Sequence, residues 1–382
     1  MENFTFWNPT RIEFGKDKEK EIGKHLAKNG IQKVLLTYGS ERIKHDGLFE
    51  SVVLSLKSHN IAFVECGGIV SNPLLSKVYE GIEVAKREKV DAILSVGGGS
   101  VLDSSKAIAA GALYEGDVWD FFLGKATIEK ALPIFDIITL AATGSEMNHG
   151  AVITNDATHQ KYFIQAPALY PTLSIINPLL QSSVSKAYLV YSASDVIAHC
   201  IEGYFTATTH PVFISKQIEA IITTVMETTE KLLINPDDYD ARGEFAWAAT
   251  CALNGLTHVG VAGVTFPNHM IEHAISAICN VPHGAGLSII MPAWMKWYQD
   301  KNEAQFKRFA QTIFGRESAK EGIEALEAWF KKIGTPTKFA HCGIEEKSIP
   351  AIIENAVDNA HYFGMDEVYT KEVIEKILKK AL

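Results

Sequence analysis

Cysteine is scarce: five residues in 382, at positions 66, 200, 251, 279 and 342. They are odd in number, widely spaced and nowhere arranged as C-x-x-C, which excludes a disulfide framework and points to reduced thiols in a cytoplasmic protein, most of them small core residues. No apolar run approaches the roughly 20 residues of a membrane span. The opening "MENFTFWNPTRIEFGKDK" also lacks the basic-then-apolar plan of a signal peptide, so no membrane partner is expected. Basic residues are outnumbered, 36 Lys and Arg against 45 Asp and Glu for a net charge of -9, and they form no cluster. A nucleic-acid backbone is thereby excluded as a partner, because counterion release needs concentrated positive charge. Internal repeats and low-complexity linkers are absent too.

What is present is an ordinary globular composition, 47% hydrophobic and 21% charged with 28 glycines, in a chain too long for one hydrophobic core. Two domains are expected. Between about residues 30 and 180, the short β-branched runs "KVLLTY", "IAFVEC", "DAILSVGGG", "PIFDIITLA" and "LSIIN" alternate with helical patterns. This alternation predicts an α/β domain with a parallel sheet. In "NPLLSKVYEGIEVAKREKV", Pro73 stands near a helix start and Val78, Ile82 and Ala85 share a face, the pattern of a crossover helix. Past Pro178 the strand signals stop. Helices are predicted over 194–205, 212–233, 244–259, 267–278, 284–297, 303–313, 320–332 and 371–382, which makes the second domain all-helical. The boundary is set near 178, giving domains 1–178 and 179–382. The segment "NFTFWNPTRIEFG" is read either as an edge strand available for pairing or as a capping hairpin.

"SVGGGSVLDSSKAIAAGA" lies where a strand passes into a helix, so the amides of Gly98, Gly99 and Ser100 can face a phosphate at the positive end of that helix. The spacing is not G-x-G-x-x-G, and Lys106 comes too late for a Walker loop; a plain tight turn is the competing reading. In "TLAATGSEMNHGAVITN", Thr139, Thr143, Ser145 and Asn148 offer polar groups at the carboxyl end of the next strand, where open α/β sheets bind ligands. A polar turn with a helix cap is the alternative there.

The second half holds an unusual density of imidazole. In "SASDVIAHCIEGYF", Asp195 and His199 are four residues apart and share one helical face, and in "NHMIEHAISAICNVPHGAG" so do His269 and His273, with His283 beyond the helix end. A buried Asp is costly as an anion unless a cation compensates it. Imidazoles and a carboxylate without thiolate suit a divalent metal such as Fe²⁺ or Zn²⁺, while a buried Asp–His hydrogen bond explains the first pair equally well.

With "GGGSVLDSSK", "TLAATGSEMN", "DVIAHCIEGYF" and "HMIEHAISAICNVPHGAG" in this order and approximate spacing, the chain resembles the iron-containing, or group III, alcohol dehydrogenases over almost its whole length. The resemblance is greatest to their butanol dehydrogenase and aldehyde reductase branch. It implies a Rossmann-like N-terminal domain, a helical metal-binding C-terminal domain of dehydroquinate synthase-like architecture, and a homodimer. Asp195, His199, His269 and His283 are implied as metal ligands, with His273 as a proton relay. Gly97, Gly98, Gly99, Ser100 and Asp103 are implied at the cofactor phosphates, and Thr139, Thr143, Asn148 and Lys161 around the nicotinamide half. Hydride would pass between the nicotinamide and a small primary alcohol or aldehyde such as butanol or butanal. Gly39, Ser40 and Arg42 could hold a 2′-phosphate as in the NADPH-using branch, so NADP(H) is the expected cofactor, whereas Glu41 departs from that branch and could bind the ribose diol of NAD(H). A glycerol-dehydrogenase-like polyol oxidoreductase and a non-catalytic nucleotide-binding module with a structural metal are the rival readings.

Overall fold

The computed structural model describes residues 1–382 and divides into two compact units, Trp7–Ser183 and Val184–Leu382 joined by Met1–Phe6. The first six residues therefore go with the helical half. Their tie is a Glu2 amide donating to the Gly260 carbonyl at 2.9 Å.

The α/β unit runs β1 (Arg11–Phe14), α1 (Ile22–Lys28), β2 (Lys33–Tyr38), α2 (Arg42–His45), α3 (Leu48–Ser58), β3 (Ala62–Cys66), α4 (Leu75–Glu88), β4 (Ala92–Gly98), α5 (Gly99–Ala112), α6 (Trp119–Phe122), β5 (Ile134–Leu140), β6 (Gly150–Asn155), β7 (Gln160–Gln165) and β8 (Leu173–Ile176). Six strands form one parallel sheet in the order β1-β8-β5-β4-β2-β3. All five strand runs read from the sequence lie in it. The N-terminal segment resolves as a parallel edge strand on β8, not a hairpin. The sequence reading missed the antiparallel hairpin β6–β7, although "AVITN" and "KYFIQ" flank a polar turn and meet the hairpin rule.

One sheet face packs on α1 and α3 through Ile22, Leu26, Val52 and Leu56 against Val34, Leu36, Leu94, Phe135 and Ile137. The opposite face carries a polar row in register across four strands, Thr37, Ser95, Asp136 and Ser174, all fully buried. Thr37 Oγ1 meets Ser105 Oγ of α5 at 2.7 Å, and burial drives the Asp136 carboxyl far above the ordinary range.

The helical unit comprises α7 (Lys186–Thr206), α8 (Val212–Ile234), α9 (Tyr239–Ala252), α10 (Pro267–Cys279), α11 (His283–Tyr298), α12 (Glu303–Phe314), α13 (Ala319–Ile333), α14 (Ile349–Tyr362) and α15 (Lys371–Lys379). The helix expected over 244–259 stops at Ala252, with Gly255 at φ 97 in the turn that follows. Unforeseen in the sequence reading, α14 buries Ile352, Ile353, Ala356 and Ala360. No helix is long and apolar enough to cross a membrane.

Candidate functional site

Helix α7 starts at Ser185, whose side chain accepts the Tyr188 amide, and from Ala193 to Phe205 every residue is buried. A helix enclosed on all sides exposes no polar face to water, so each charged side chain on it must find its partner inside the protein. Asp195, His199 and Glu202 lie on one face at positions i, i+4 and i+7. Pro267 opens α10 in the first helical turn, where a missing amide costs nothing. Asn280, at φ 50, closes it in the left-handed conformation. The chain then turns through Val281 and Pro282, so that His283 is the first residue of α11. That start lies directly on α7: a Cβ on Gly284 would stand 2.0 Å from the Tyr191 carbonyl oxygen, and only glycine permits the approach.

These placements put three imidazoles around one carboxylate oxygen. Asp195 Oδ1 is 3.5 Å from His199 Nε2 and 3.6 Å from both His269 Nε2 and His283 Nε2. Such separations are too long for good hydrogen bonds. Ligands about 2.1 Å from a tetrahedral ion stand about 3.4 Å apart, close to what is found. Asp195 Oδ1 and His269 Nε2 are buried and have no hydrogen-bond partner, a costly arrangement unless a cation satisfies both. The four residues of the ligand set implied by the resemblance therefore fit a divalent metal.

Two carboxylates stand behind the imidazoles. Glu202 Oε1 accepts from His269 Nδ1 and from the His269 amide, each at 2.9 Å, and Glu202 Oε2 accepts from Asn268 Nδ2 at 2.9 Å. Glu272 pairs with His283 Nδ1 and with the Ser276 hydroxyl. Both glutamates are fully buried. A carboxylate on Nδ1 fixes the tautomer that presents the Nε2 lone pair toward a metal. The sequence reading missed this pair, although Glu202 and Glu272 each follow a candidate ligand histidine by three residues, one turn along the same face.

Electrostatics follow from the enclosure. Burial pushes the Asp195 carboxyl up, yet the imidazoles, His199 foremost, hold it well below the usual carboxylate range. Burial takes His199 down to about 3. Burial opposes charge on His269 as well, but Asp195 and Glu202 on either side of the ring lift it to about 9. His273 is buried next to the set, its ring 6.4 Å from His269, 5.8 Å from His283 and 5.9 Å from Phe363. With Glu272 and His283 it forms a second close group of possible ligands, but its imidazole is not among those gathered on Asp195. Phe266 stands edge-on to His269 at 5.6 Å.

In the α/β unit, the residues implied for the cofactor collect at the carboxyl end of the sheet. Gly39, Ser40 and Arg42 follow β2, Gly97 to Ser100 close β4 and open α5, and Thr139, Thr143 and Asn148 belong to β5 and the turn after it. Because β2 runs on to β3 at one side and β4 to β5 at the other, the chain reverses direction between β2 and β4. Ligands of doubly wound sheets bind at such a switch point.

Several of these side chains are already committed. Arg42 donates to the Ser183 carbonyl and hydroxyl at 3.1 and 2.8 Å, and Glu41 accepts from Tyr38 Oη at 3.2 Å and pairs with Lys44 at 3.0 Å. Asp103 accepts from Ser145 Oγ at 2.7 Å and from the Val152 amide at 2.9 Å. Asn148 spends its amide on Gly144, Gly150 and Lys106, and Lys161 donates to Asn72 at 3.1 Å. A Cβ on Gly99 would stand 2.4 Å from Thr143 Oγ1, so this glycine lets the β5 turn press on the start of α5. Ser100 and Thr143 stay partly exposed.

Comparison with known proteins agrees in both halves. Residues 9–178 match the family model "Iron-containing alcohol dehydrogenase" and residues 189–382 the model "Fe-containing alcohol dehydrogenase family, C-terminal". The chain is 37% identical to the probable NADH-dependent butanol dehydrogenase 1 of Bacillus subtilis and 30% identical to the NADPH-dependent aldehyde reductase of Escherichia coli, each match covering all of both chains. Among solved structures it is similar to NADH-dependent butanol dehydrogenase A of Thermotoga maritima, at 48% identity and a TM-score of 0.97, covering 100% of this chain and 99% of that one.

Proposed function

Since the chain belongs to the iron-containing alcohol dehydrogenase family, it is an oxidoreductase of alcohols and aldehydes that uses NAD(P)(H) and a divalent metal, and we propose that Asp195, His199, His269 and His283 hold that metal. The single observation carrying this reading is Asp195 Oδ1, buried and without a hydrogen-bond partner, with three Nε2 atoms at 3.5 to 3.6 Å. Held by these four side chains, a divalent ion would supply Lewis acidity toward the oxygen of the alcohol or aldehyde. Glu202 and Glu272 keep His269 and His283 in the required tautomer. His273, buried beside the ligands, is the proton carrier, imidazole being the side chain suited to that role near neutral pH. Phe266 and Phe363 flank this cluster with apolar rings, which suits the alkyl chain of butanal better than a polyol.

Of the two cofactors we propose NADH. Arg42, the cation suited to a 2′-phosphate, is turned to Ser183, and the Glu41 carboxylate after β2 would repel that phosphate while accepting from a ribose diol. The relatives at 37% and 48% identity are named as NADH-dependent. The Gly97–Ser100 turn and Thr143 are the proposed phosphate and nicotinamide contacts. A cytoplasmic homodimer, with β1 at the open edge of its sheet, completes the reading.

The test is absorbance at the nicotinamide band with NADH or NADPH, with butanal or dihydroxyacetone, the carbonyl partner of glycerol, using metal-stripped protein reloaded with Fe²⁺ or Zn²⁺. Metal-dependent oxidation of NADH by butanal is expected. Preference for the polyol pair supports the glycerol-dehydrogenase-like alternative, and no turnover in the loaded protein supports the non-catalytic module.

A further inference from the structure

Lys106 is the largest cationic side chain wholly sealed inside the α/β unit, and nothing in the reaction above uses it. It sits on α5 and is fully buried. Its ammonium lies among five oxygens: the carbonyls of Ser145, Asn148 and Gly150 at 2.8, 2.9 and 2.8 Å, Ser145 Oγ at 2.9 Å and Asn148 Oδ1 at 3.1 Å. Three carbonyls, a hydroxyl and an amide oxygen converging on one point form the kind of shell that hard monovalent cations receive. All five oxygens come from residues 145–150, the turn between β5 and β6. Asp103, three residues earlier on α5, ties down the same segment, accepting from the Ser145 hydroxyl that also faces Lys106 and from the Val152 amide of β6. Within the turn, the Ser145 amide donates to Thr143 Oγ1 at 3.2 Å, and Thr143 fills the place that a Gly99 side chain would need.

We propose that Lys106 is a positioning residue for the dinucleotide, a tethered cation that shapes the 143–150 turn and so sets Thr143 against the Gly97–Ser100 loop. This rests on that loop being the cofactor's phosphate site. A buried ammonium is a stronger organiser than a neutral donor because its bonds are charge-assisted, and removing it withdraws a charged donor from five oxygens at once, which is costly. The groups facing it are Asp103 from α5, Glu146 from the turn and Asp136 from β5; each favours its charged form, while burial wins and takes the ammonium down to about 8. The ammonium's field reaches His149, whose imidazole burial and Lys106 both push down.

Direct titration of NADH binding by fluorescence in the metal-loaded protein tests the idea. Lys106→Met should weaken NADH binding about tenfold or more with metal content and kcat at saturating NADH much less changed. In Lys106→Ala, millimolar n-propylammonium, which replaces the deleted side chain, should restore much of the affinity, and the neutral isostere n-propanol should not. Wild-type affinity should fall as pH rises through about 8, because the charged form holds the cage below that point. Folded Lys106→Met with wild-type affinity, equal rescue by propanol, or a flat wild-type profile to pH 9.5 would each overturn the assignment; the last applies even where both variants fail to fold. Ser100→Glu separates the two readings. It places a carboxylate at the proposed phosphate site, so unchanged NADH binding there refutes the loop, whereas loss there with none in Lys106→Met refutes only the lysine's role.

Discussion

Replacing Glu202 by Gln changes a charge while preserving almost every contact, and so measures what the carboxylate behind His269 contributes. Glu202 accepts three hydrogen bonds, from His269 Nδ1, the His269 amide and Asn268 Nδ2. The Gln carbonyl can take over the first two. Its NH2 group then faces Asn268, whose own Oδ1 has no partner; a half-turn of that amide converts the clash into a new hydrogen bond. The fold is therefore expected to survive, and what disappears is a charge-assisted bond of roughly twice the neutral strength. Loss of such an outer partner lowers metal affinity by about 10- to 100-fold, or about 1.4 to 2.7 kcal/mol. Metal-stripped wild type and variant would be titrated with Zn²⁺ against a chromophoric chelator, with thermal melts of the stripped proteins as the control. Equal affinities with equal melting temperatures would refute the claim that Glu202 sets the basicity and tautomer of His269. Glu202→Ala, by contrast, strands the buried donors of His269 and should cost stability as well as metal.

Three further outcomes follow from the same geometry. Gly284→Ala drives a Cβ into the Tyr191 carbonyl, at 2.0 Å before any relaxation, and should cost about 1 to 3 kcal/mol by chemical unfolding together with weaker metal retention; a neutral effect would show that α11 need not rest on α7. His258 is held down to about 4 by burial, so its stabilising contribution is complete above pH 6.5 and is lost as pH falls toward 4, by at most about 3 kcal/mol. The acid limb of the stability profile should flatten in His258→Gln, and an unchanged limb would assign it to other groups. His273→Ala should keep metal content while lowering kcat and altering its pH dependence, roughly 10²-fold or more if proton transfer passes through this ring; an unaltered rate and profile would remove it as the relay.

Local pattern was enough for much of this molecule. The five strand runs, the crossover helix over Val78 and Ala85, and the paired spacings Asp195–His199 and His269–His273 could be read directly, because a period of two or of 3.6 residues reports which face of a segment is buried. The elements that escaped reading were those whose partner lies elsewhere. Strands β6 and β7 stabilise each other across a short polar turn that reads as loop, and α14 packs chiefly against α10 behind short apolar clusters. The Thr37–Ser95–Asp136–Ser174 row exists only once four strands have taken their register.

The site divides in the same way. The sequence by itself determined the candidate ligand types and their grouping on two helices, since i and i+4 positions share a face whatever surrounds them. Folding decided that His283, fourteen residues from His269, comes to the same carboxylate oxygen, because Gly284 allows α11 to begin against α7. It also decided that Glu202 and Glu272 orient the imidazoles, and that Lys106, in sequence an ordinary helix lysine, becomes a buried cation in a shell of carbonyls. Side-chain spacing along one helix is a property of the backbone, whereas convergence of atoms from separate segments depends on packing that no single segment contains.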